Sequence, residues 1–222
     1  PPARAVESLL SPQSVPLLLP PLDTSRGAGR FERGGVIILT TIDYSLQLQA
    51  DCALRTQLAR LGGNLEPLLA QDGSACTTAA LLARVDEADS AGEAVAGALV
   101  LDPATGQVLA AAGDLSSHPA GTAITPFLYL TGFARGLNPA TLVWDIPGEE
   151  PVLGQVYQGP MRLRIALAND YLNPAWSVLE QMGVENIRTL STSFGLDLPS
   201  EGLLEEDFAL SPFDLASAHG IL

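Results

Sequence analysis

The chain predicts an α+β (mixed α/β) fold, and three consecutive segments carry that prediction. GGVIILTTID, Gly34 to Asp43, is β-branched and apolar between glycine and aspartate, which is strand chemistry. YSLQLQADCALRTQLARL, Tyr44 to Leu61, places Leu46, Ala50, Ala53, Leu54, Leu58 and Leu61 at helical spacing. EAVAGALVLDPATGQVLAAAG, Glu93 to Gly113, reads as a β-hairpin, with strands Val95–Leu101 and Gln107–Ala112 joined by the turn DPATG.

The remaining elements follow in order. Pro1 to Arg33 reads as a linker or interdomain adaptor, because prolines and glycines interrupt every short apolar run. In the Tyr44–Leu61 helix, Ser45 is the candidate N-cap, and Gly62-Gly63 ends the helix. Asn64 to Ser90 mixes helical pattern with small polar residues, and TTAALLARVDEA is its helix candidate. After the hairpin, Thr122 and Thr125 compete as N-cap before Pro126. The helix that follows presents Phe127, Leu130, Phe133 and Ala134 and ends at Gly136. NPATLVWDIPG is a loop with a short extended run. GPMRLRIALANDYLNPAWSVLEQMG reads as two helices split at Asn173-Pro174. VENIRTLSTSFGLDL is a helix ending at Gly195. SPFDLASAHGIL opens a last helix, with Ser211 as cap, Pro212 at the first helical position and Asp214 two residues on. A lone hairpin is marginal, so its sheet is expected to need strands beyond Leu222 or from another chain.

Composition narrows the function classes. Apolar residues make up 47% of the 222 and charged residues 16%, which suits a buried core. The net charge of -14 argues against nucleic acid and against an anionic membrane surface. All 11 basic residues are arginines, so no lysine is available as a base, a Schiff-base former or a phosphate-loop cation. With His118 and His219 the only histidines and no CxxC pair, nothing points to a metal or a cofactor. Cys52 and Cys76 read first as two buried thiols and second as a disulfide. No run approaches the roughly 18 apolar residues that a membrane helix needs.

Several segments together resemble the transpeptidase domain of class A, bifunctional-type penicillin-binding proteins. LTTIDYSLQLQADCAL stands where that family has VTTID-LQ, and AGALVLDPATGQVLAAAGD matches its GALVVLDPxTGxVLAMVGG hairpin. AGTAITPFLY stands for PGSxxKPFLY, GPMRLRIALANDYLNPA for GxxTLREALAxSLNxPA, and LSPFDLASAHGIL for VSPLELAxAYAxFAN. The likeness runs from Gly34 to Leu222. It implies a transpeptidase-like domain over residues 34–222, of the penicillin-binding-protein and serine β-lactamase-like fold, with its third-motif strand expected beyond Leu222.

The likeness breaks where the chemistry should be. The family's nucleophilic serine lies one helical turn ahead of a lysine whose amine takes the hydroxyl proton. Here those positions are Thr122 and Thr125. The family's S-x-N motif falls on Asp170 and Leu172. Asn173 lies one residue late, about 100° around a helix from the needed direction. No catalytic residue is therefore assigned: Thr122, Thr125, Asp170 and Leu172 are degenerate equivalents.

Plain structural roles are expected for the other conspicuous residues. His118 reads as a solvent-facing loop histidine and His219 as a packing residue. Asp170 reads as a partner for Arg162 or Arg164, or as a helix cap. Trp144 and Trp176 read as core or subdomain contacts, and EGLLEED, Glu201 to Asp207, as a solvated face.

For the whole protein the resemblance implies a peptidoglycan-building parent on the extracytoplasmic face of the bacterial cell membrane, a place that permits a disulfide. Its glycosyltransferase domain and single membrane helix would precede this chain. Partners would be peptidoglycan stem peptides or cell-wall synthesis proteins. A non-catalytic scaffold or interaction module, or an atypical Thr122-dependent acyltransferase, are the alternatives.

Overall fold

A computed structural model of the chain describes residues 40–66, 68–85, 94–147, 156–204 and 208–222. The expected linker 1–33 and most of the expected first strand lie outside these residues. The chain divides into two compact units, Pro1–Ser116 and Ser117–Leu222.

The first unit is a long helix laid against a hairpin. Helix α1 spans Tyr44–Leu61. Its cap is Asp43 and not Ser45: the Asp43 backbone is extended, and its carboxylate accepts the Leu46 N–H at 2.8 Å. Ser45 already lies inside the helix, where a side chain cannot reach the first turn's donors. Strands β1 (Gly97–Leu101) and β2 (Val108–Gly113) pair antiparallel through the predicted turn. In that turn the Thr105 hydroxyl and the Ala104 N–H bond the Asp102 carboxylate and hold its carboxyl below the usual range.

Ala110, Ala111 and Ala112 of β2 are all buried, and α1 packs against this strand. Gly113 is required at the end of that strand. Its φ is +73°, and a Cβ there would lie 2.2 Å from the Ala96 carbonyl and 2.3 Å from Leu54 Cδ2. The Gln47 side chain then acts as a strand fragment. Its amide donates to the Ala111 carbonyl and accepts the Ala111 N–H, both at 2.8 Å. With the Asp43 N–H on the Leu109 carbonyl (2.9 Å), this satisfies the edge of β2 that faces away from β1. Among the described residues the sheet has two strands and is backed by α1.

Cys52 and Cys76 form a disulfide across a separation of 24 residues, which overturns the reading of two thiols. A closed loop of that length contributes about 3 kcal/mol by restricting the unfolded chain. The bond holds a strap of residues on α1. Gln49 receives the Thr77 hydroxyl (3.0 Å) and the Thr78 N–H (3.2 Å), and Arg60 donates to the Ala79 carbonyl (3.1 Å). Only Thr77–Leu81 of the TTAALLARVDEA candidate is helical, as a 3-10 turn, and residues 86–93 lie outside the description.

The second unit is a helical core with two short strand pairs at its margins among the described residues. Helix α2 (Thr125–Ala134) is its centre, burying Phe127, Leu128 and Tyr129 completely. Each such apolar side chain contributes roughly 1.5–3 kcal/mol. Strand β3 (His118–Pro119) pairs with β6 (Ala209–Leu210), so His118 is half-buried in a strand and not a solvent-facing loop residue. Strand β4 (Leu142–Asp145) pairs antiparallel with β5 (Gly159–Arg162).

Helices α3 (Leu163–Ala168) and α4 (Leu172–Met182) follow. Their break lies at residues 169–171, upstream of the expected Asn173-Pro174. Pro174 sits in the first turn of α4, where no helix hydrogen bond needs its missing N–H. Helix α5 (Val184–Thr192) ends one turn before Gly195, whose φ is +79°. Helix α6 (Pro212–Ile221) is capped by Ser211, whose hydroxyl accepts the Asp214 N–H at 3.1 Å. The His219 ring meets Phe127 edge-on at 5.1 Å, the expected packing role. EGLLEED is not simply a solvated face: Leu203 is buried in the core and Leu204 packs against it, while residues 205–207 lie outside the description.

Candidate functional site

Thr122 lies in a 3-10 turn, Gly121–Ile124, that leads into α2. It caps no α-helix, and neither does Thr125. The α2 N-cap is Ile124, and Thr125 is the first helical residue, buried to 2% exposure. Pro126 in the first turn carries the helix start without a side-chain cap, because its ring presets φ and removes one orphan donor.

Asp170 occupies the break between α3 and α4. With φ +54° it is the one non-glycine residue in the left-handed region among those described. Aspartate tolerates that region better than most residues. The turn aims its carboxylate at Thr122, whose Oγ1 donates to Asp170 Oδ2. The positions that the sequence matched to the family's two serines are thus brought together. Asp170 does not pair with the neighbouring arginines: Arg162 donates to the Ala140 carbonyl at 3.4 Å. Nor does it cap α4, whose N-cap is Tyr171.

Tyr129 of α2 is buried and feels the charge of Asp170 without a hydrogen bond to it, and sequence reasoning missed it. Its place one helical turn after Thr125, on the same face, was the available signal. Its hydroxyl is buried without a hydrogen-bond partner among the described residues. Burial, and then the charge of Asp170, push its pKa up to about 12. The phenol therefore stays protonated across the physiological range.

Leu172 begins α4 as an apolar, partly exposed side chain and offers no hydrogen bond. Asn173 turns elsewhere. Its Nδ2 donates to Asp145 Oδ1 at 2.8 Å, and the other oxygen of that buried carboxylate accepts the Gln158 N–H at 2.9 Å. Asn173 is therefore a tie between α4 and β4, and not a delayed substitute for the relay asparagine.

The site joins a hydroxyl and a carboxylate, and the chain has no lysine to add an amine. Carboxylates are far weaker bases than amines, so the arrangement is better suited to fixing the Thr122 hydroxyl than to activating it. No group of three or more potential metal ligands gathers among the described residues, and no described helix is long and apolar enough to cross a membrane.

No protein-family model matches the chain. Penicillin-binding protein 1A of Vibrio cholerae serotype O1 is 31% identical over 121 residues, which is 48% of this chain and 15% of that protein. The solved penicillin-binding protein PonA1 from Mycobacterium tuberculosis is similar with a TM-score of 0.61 at 14% identity, over 90% of this chain and 53% of that one. Its complex with penicillin V gives 0.59 at 16% identity, over 94% and 55%. Pseudomonas aeruginosa PBP2 in complex with WCK 5153 gives 0.52 at 16% identity, over 83% and 50%. These structural likenesses concern the fold. The chain spans about half the length of the solved chains cited here and 15% of the curated relative.

Proposed function

From the premise that this chain carries a penicillin-binding-protein transpeptidase-like domain of α+β fold, we propose that it is part of a peptidoglycan-synthesising protein and has lost acyl transfer. The domain comprises residues 34–222, and residues 1–33 connect it to what precedes. The parent acts on the extracytoplasmic face of the bacterial cell membrane, anchored there, with glycosyltransferase activity in a separate domain. The transpeptidase-like domain serves as a scaffold that engages stem peptides or cell-wall synthesis proteins, without a cofactor.

One observation carries the loss of chemistry. The Thr122 hydroxyl is engaged by the Asp170 carboxylate, while Thr125 stands where an amine would be needed. Acyl transfer requires the hydroxyl proton to leave as the oxygen attacks the acyl carbon. The Thr122 β-methyl crowds that attack, and the chain has no lysine to accept the proton.

Calorimetry of the full chain with a D-Ala-D-Ala-terminated stem peptide, paired with an assay for released D-alanine, tests this reading. Saturable binding without release supports a scaffold that recognises the peptide. Absence of both leaves cell-wall synthesis proteins as its partners. Release of D-alanine that disappears in Thr122→Ala would overturn the proposal.

A further inference from the structure

Cys52 and Cys76 share a disulfide, but their two sulfurs differ in access. Cys52 lies within α1 and is completely buried. Cys76 precedes the 3-10 turn Thr77–Leu81 and is only partly buried. In thiol–disulfide exchange a thiolate attacks one sulfur and the other departs, and access decides which is which. A thiolate arriving from solvent meets Cys76, and Cys52 is the sulfur that departs.

The surroundings suit the two thiols as well as the bond. Thr56 is completely buried, and its hydroxyl lies 3.9 Å from Cys76 Sγ with no other partner among the described residues. A disulfide sulfur accepts weakly, whereas a thiolate is a charged acceptor, so this hydroxyl favours the reduced form of Cys76. Cys52 Sγ lies 3.5 Å from the Leu68 carbonyl, which accepts a proton from a Cys52 thiol and gains nothing from a disulfide. Opening the bond therefore leaves both sulfurs with partners.

The strap that Cys76 fastens has little else to hold it by burial. Of its described residues over 62–81, Ala70 and Ala79 alone are buried, while Leu65, Leu69 and Leu81 are exposed. The apolar cluster at α1 consists of Leu48, Cys52 and Ala70 with Cys76 packed against it, so the disulfide supplies half of its members. Side-chain hydrogen bonds add to the attachment: Arg55 donates to the Leu69 carbonyl at 3.2 Å, and Gln71 to Asp51 at 3.1 Å. Such ties break and re-form without unfolding α1, whose backbone bonds are its own. They also keep Cys76 near Cys52 while the bond is open, which speeds its closure.

We propose that Cys52–Cys76 is an exchangeable disulfide, entered at Cys76, through which a dithiol carrier fastens and releases the strap on α1. One thiolate of the carrier bonds to Cys76 Sγ as the protein S–S bond breaks. The Cys52 sulfur leaves with the electron pair and takes up a proton. The carrier's second thiolate then attacks its own sulfur in the mixed disulfide and expels Cys76 as a thiolate, to which Thr56 donates. The protein disulfide gains the two electrons that the carrier loses in closing its own disulfide. Refastening by the oxidised carrier runs the same path backwards, again through a mixed disulfide on Cys76.

The test begins with the unsubstituted full chain, folded and oxidised. It is treated with reduced glutathione, quenched in acid, alkylated and mapped by mass spectrometry. The expected mixed disulfide lies on Cys76, with Cys52 alkylated. Reduction by dithiothreitol, the dithiol probe, should be first order in thiol and change less than about twofold between water and about 1 M urea, whereas reduction through global unfolding would accelerate about fivefold or more over that range. Thr56→Val should shift the equilibrium with the glutathione couple severalfold towards the disulfide, and Thr56→Ser should restore it. If the valine variant fails to fold, the adduct position and the urea dependence decide. Glutathione found on Cys52, reduction that follows unfolding, no reduction of the folded chain, or an equilibrium unmoved in folded Thr56→Val each overturns the proposal.

Discussion

The Thr122 hydroxyl donates a hydrogen bond to the carboxylate of Asp170, a residue 48 positions further along the chain. It joins the 3-10 turn before α2 to the break between α3 and α4. The aspartate reaches it from a left-handed backbone with φ +54°. A side chain there costs roughly 1 kcal/mol relative to glycine. Asp170→Gly should lose the hydrogen bond but recover the backbone cost. Asp170→Ala should lose the bond and keep the cost. Urea unfolding is expected to place the alanine variant about 1 kcal/mol below the glycine variant. Equal stabilities would mean that the turn relaxes without its aspartate.

Tyr129 should make the second unit sensitive to alkali. Its folded pKa is raised to about 12 from an ordinary value of 10.0. The native state thus holds a proton that the unfolded state releases above pH 10. The associated stability is intact below that pH and declines as pH rises towards 12, by at most about 1.4 kcal/mol per unit. Tyr129→Phe should remove this decline. It should also be neutral or stabilising at pH 7, because the lost hydroxyl has no partner among the described residues. Denaturant midpoints of both proteins from pH 8 to 12 check this; parallel curves would refute it.

Gln47 should matter more than a glutamine usually does. Removing its amide leaves the buried Ala111 N–H and carbonyl without these partners. Gln47→Ala is expected to cost about 2–4 kcal/mol, since each orphaned buried group costs roughly 1–3. Gln47→Glu should also destabilise, because it sets a carboxylate oxygen against the Ala111 carbonyl. Chemical denaturation monitored by circular dichroism measures both. A change within about 0.5 kcal/mol for the alanine variant would show that the amide is dispensable.

Reducing the Cys52–Cys76 bond should loosen the strap on α1. The double serine variant is expected to lose about 3 kcal/mol. Hydrogen exchange should rise around residues 68–81, where the Gln49 and Arg60 contacts also lie. Exchange rates unchanged by reduction would show that those polar contacts suffice.

Much of this fold was legible because its signals are local. The α1 span, the hairpin turn and the Ser211 cap each depend on residues within a few positions of one another. The failures came where tertiary geometry chose between nearby options. Asp43 displaced Ser45 as cap because its extended backbone also bonds to β2. The helix break moved to Asp170 because Pro174 is harmless in a first turn. Of the two roles expected for Trp144, core or subdomain contact, its exposure removes the first, because a short strand shows which residues face inward only when its partner strand is known. The Thr122–Asp170 bond and the disulfide join distant residues, which no local pattern announces. The family likeness had aligned Thr122 and Asp170 with reactive positions, but not the contact between them.

The most direct test of the account is the intact mass of the full chain after incubation with a large excess of penicillin V. The account predicts an unchanged mass, because Thr122 lacks an amine to take its proton. A stoichiometric adduct equal to the added antibiotic, absent from Thr122→Ala, would contradict it.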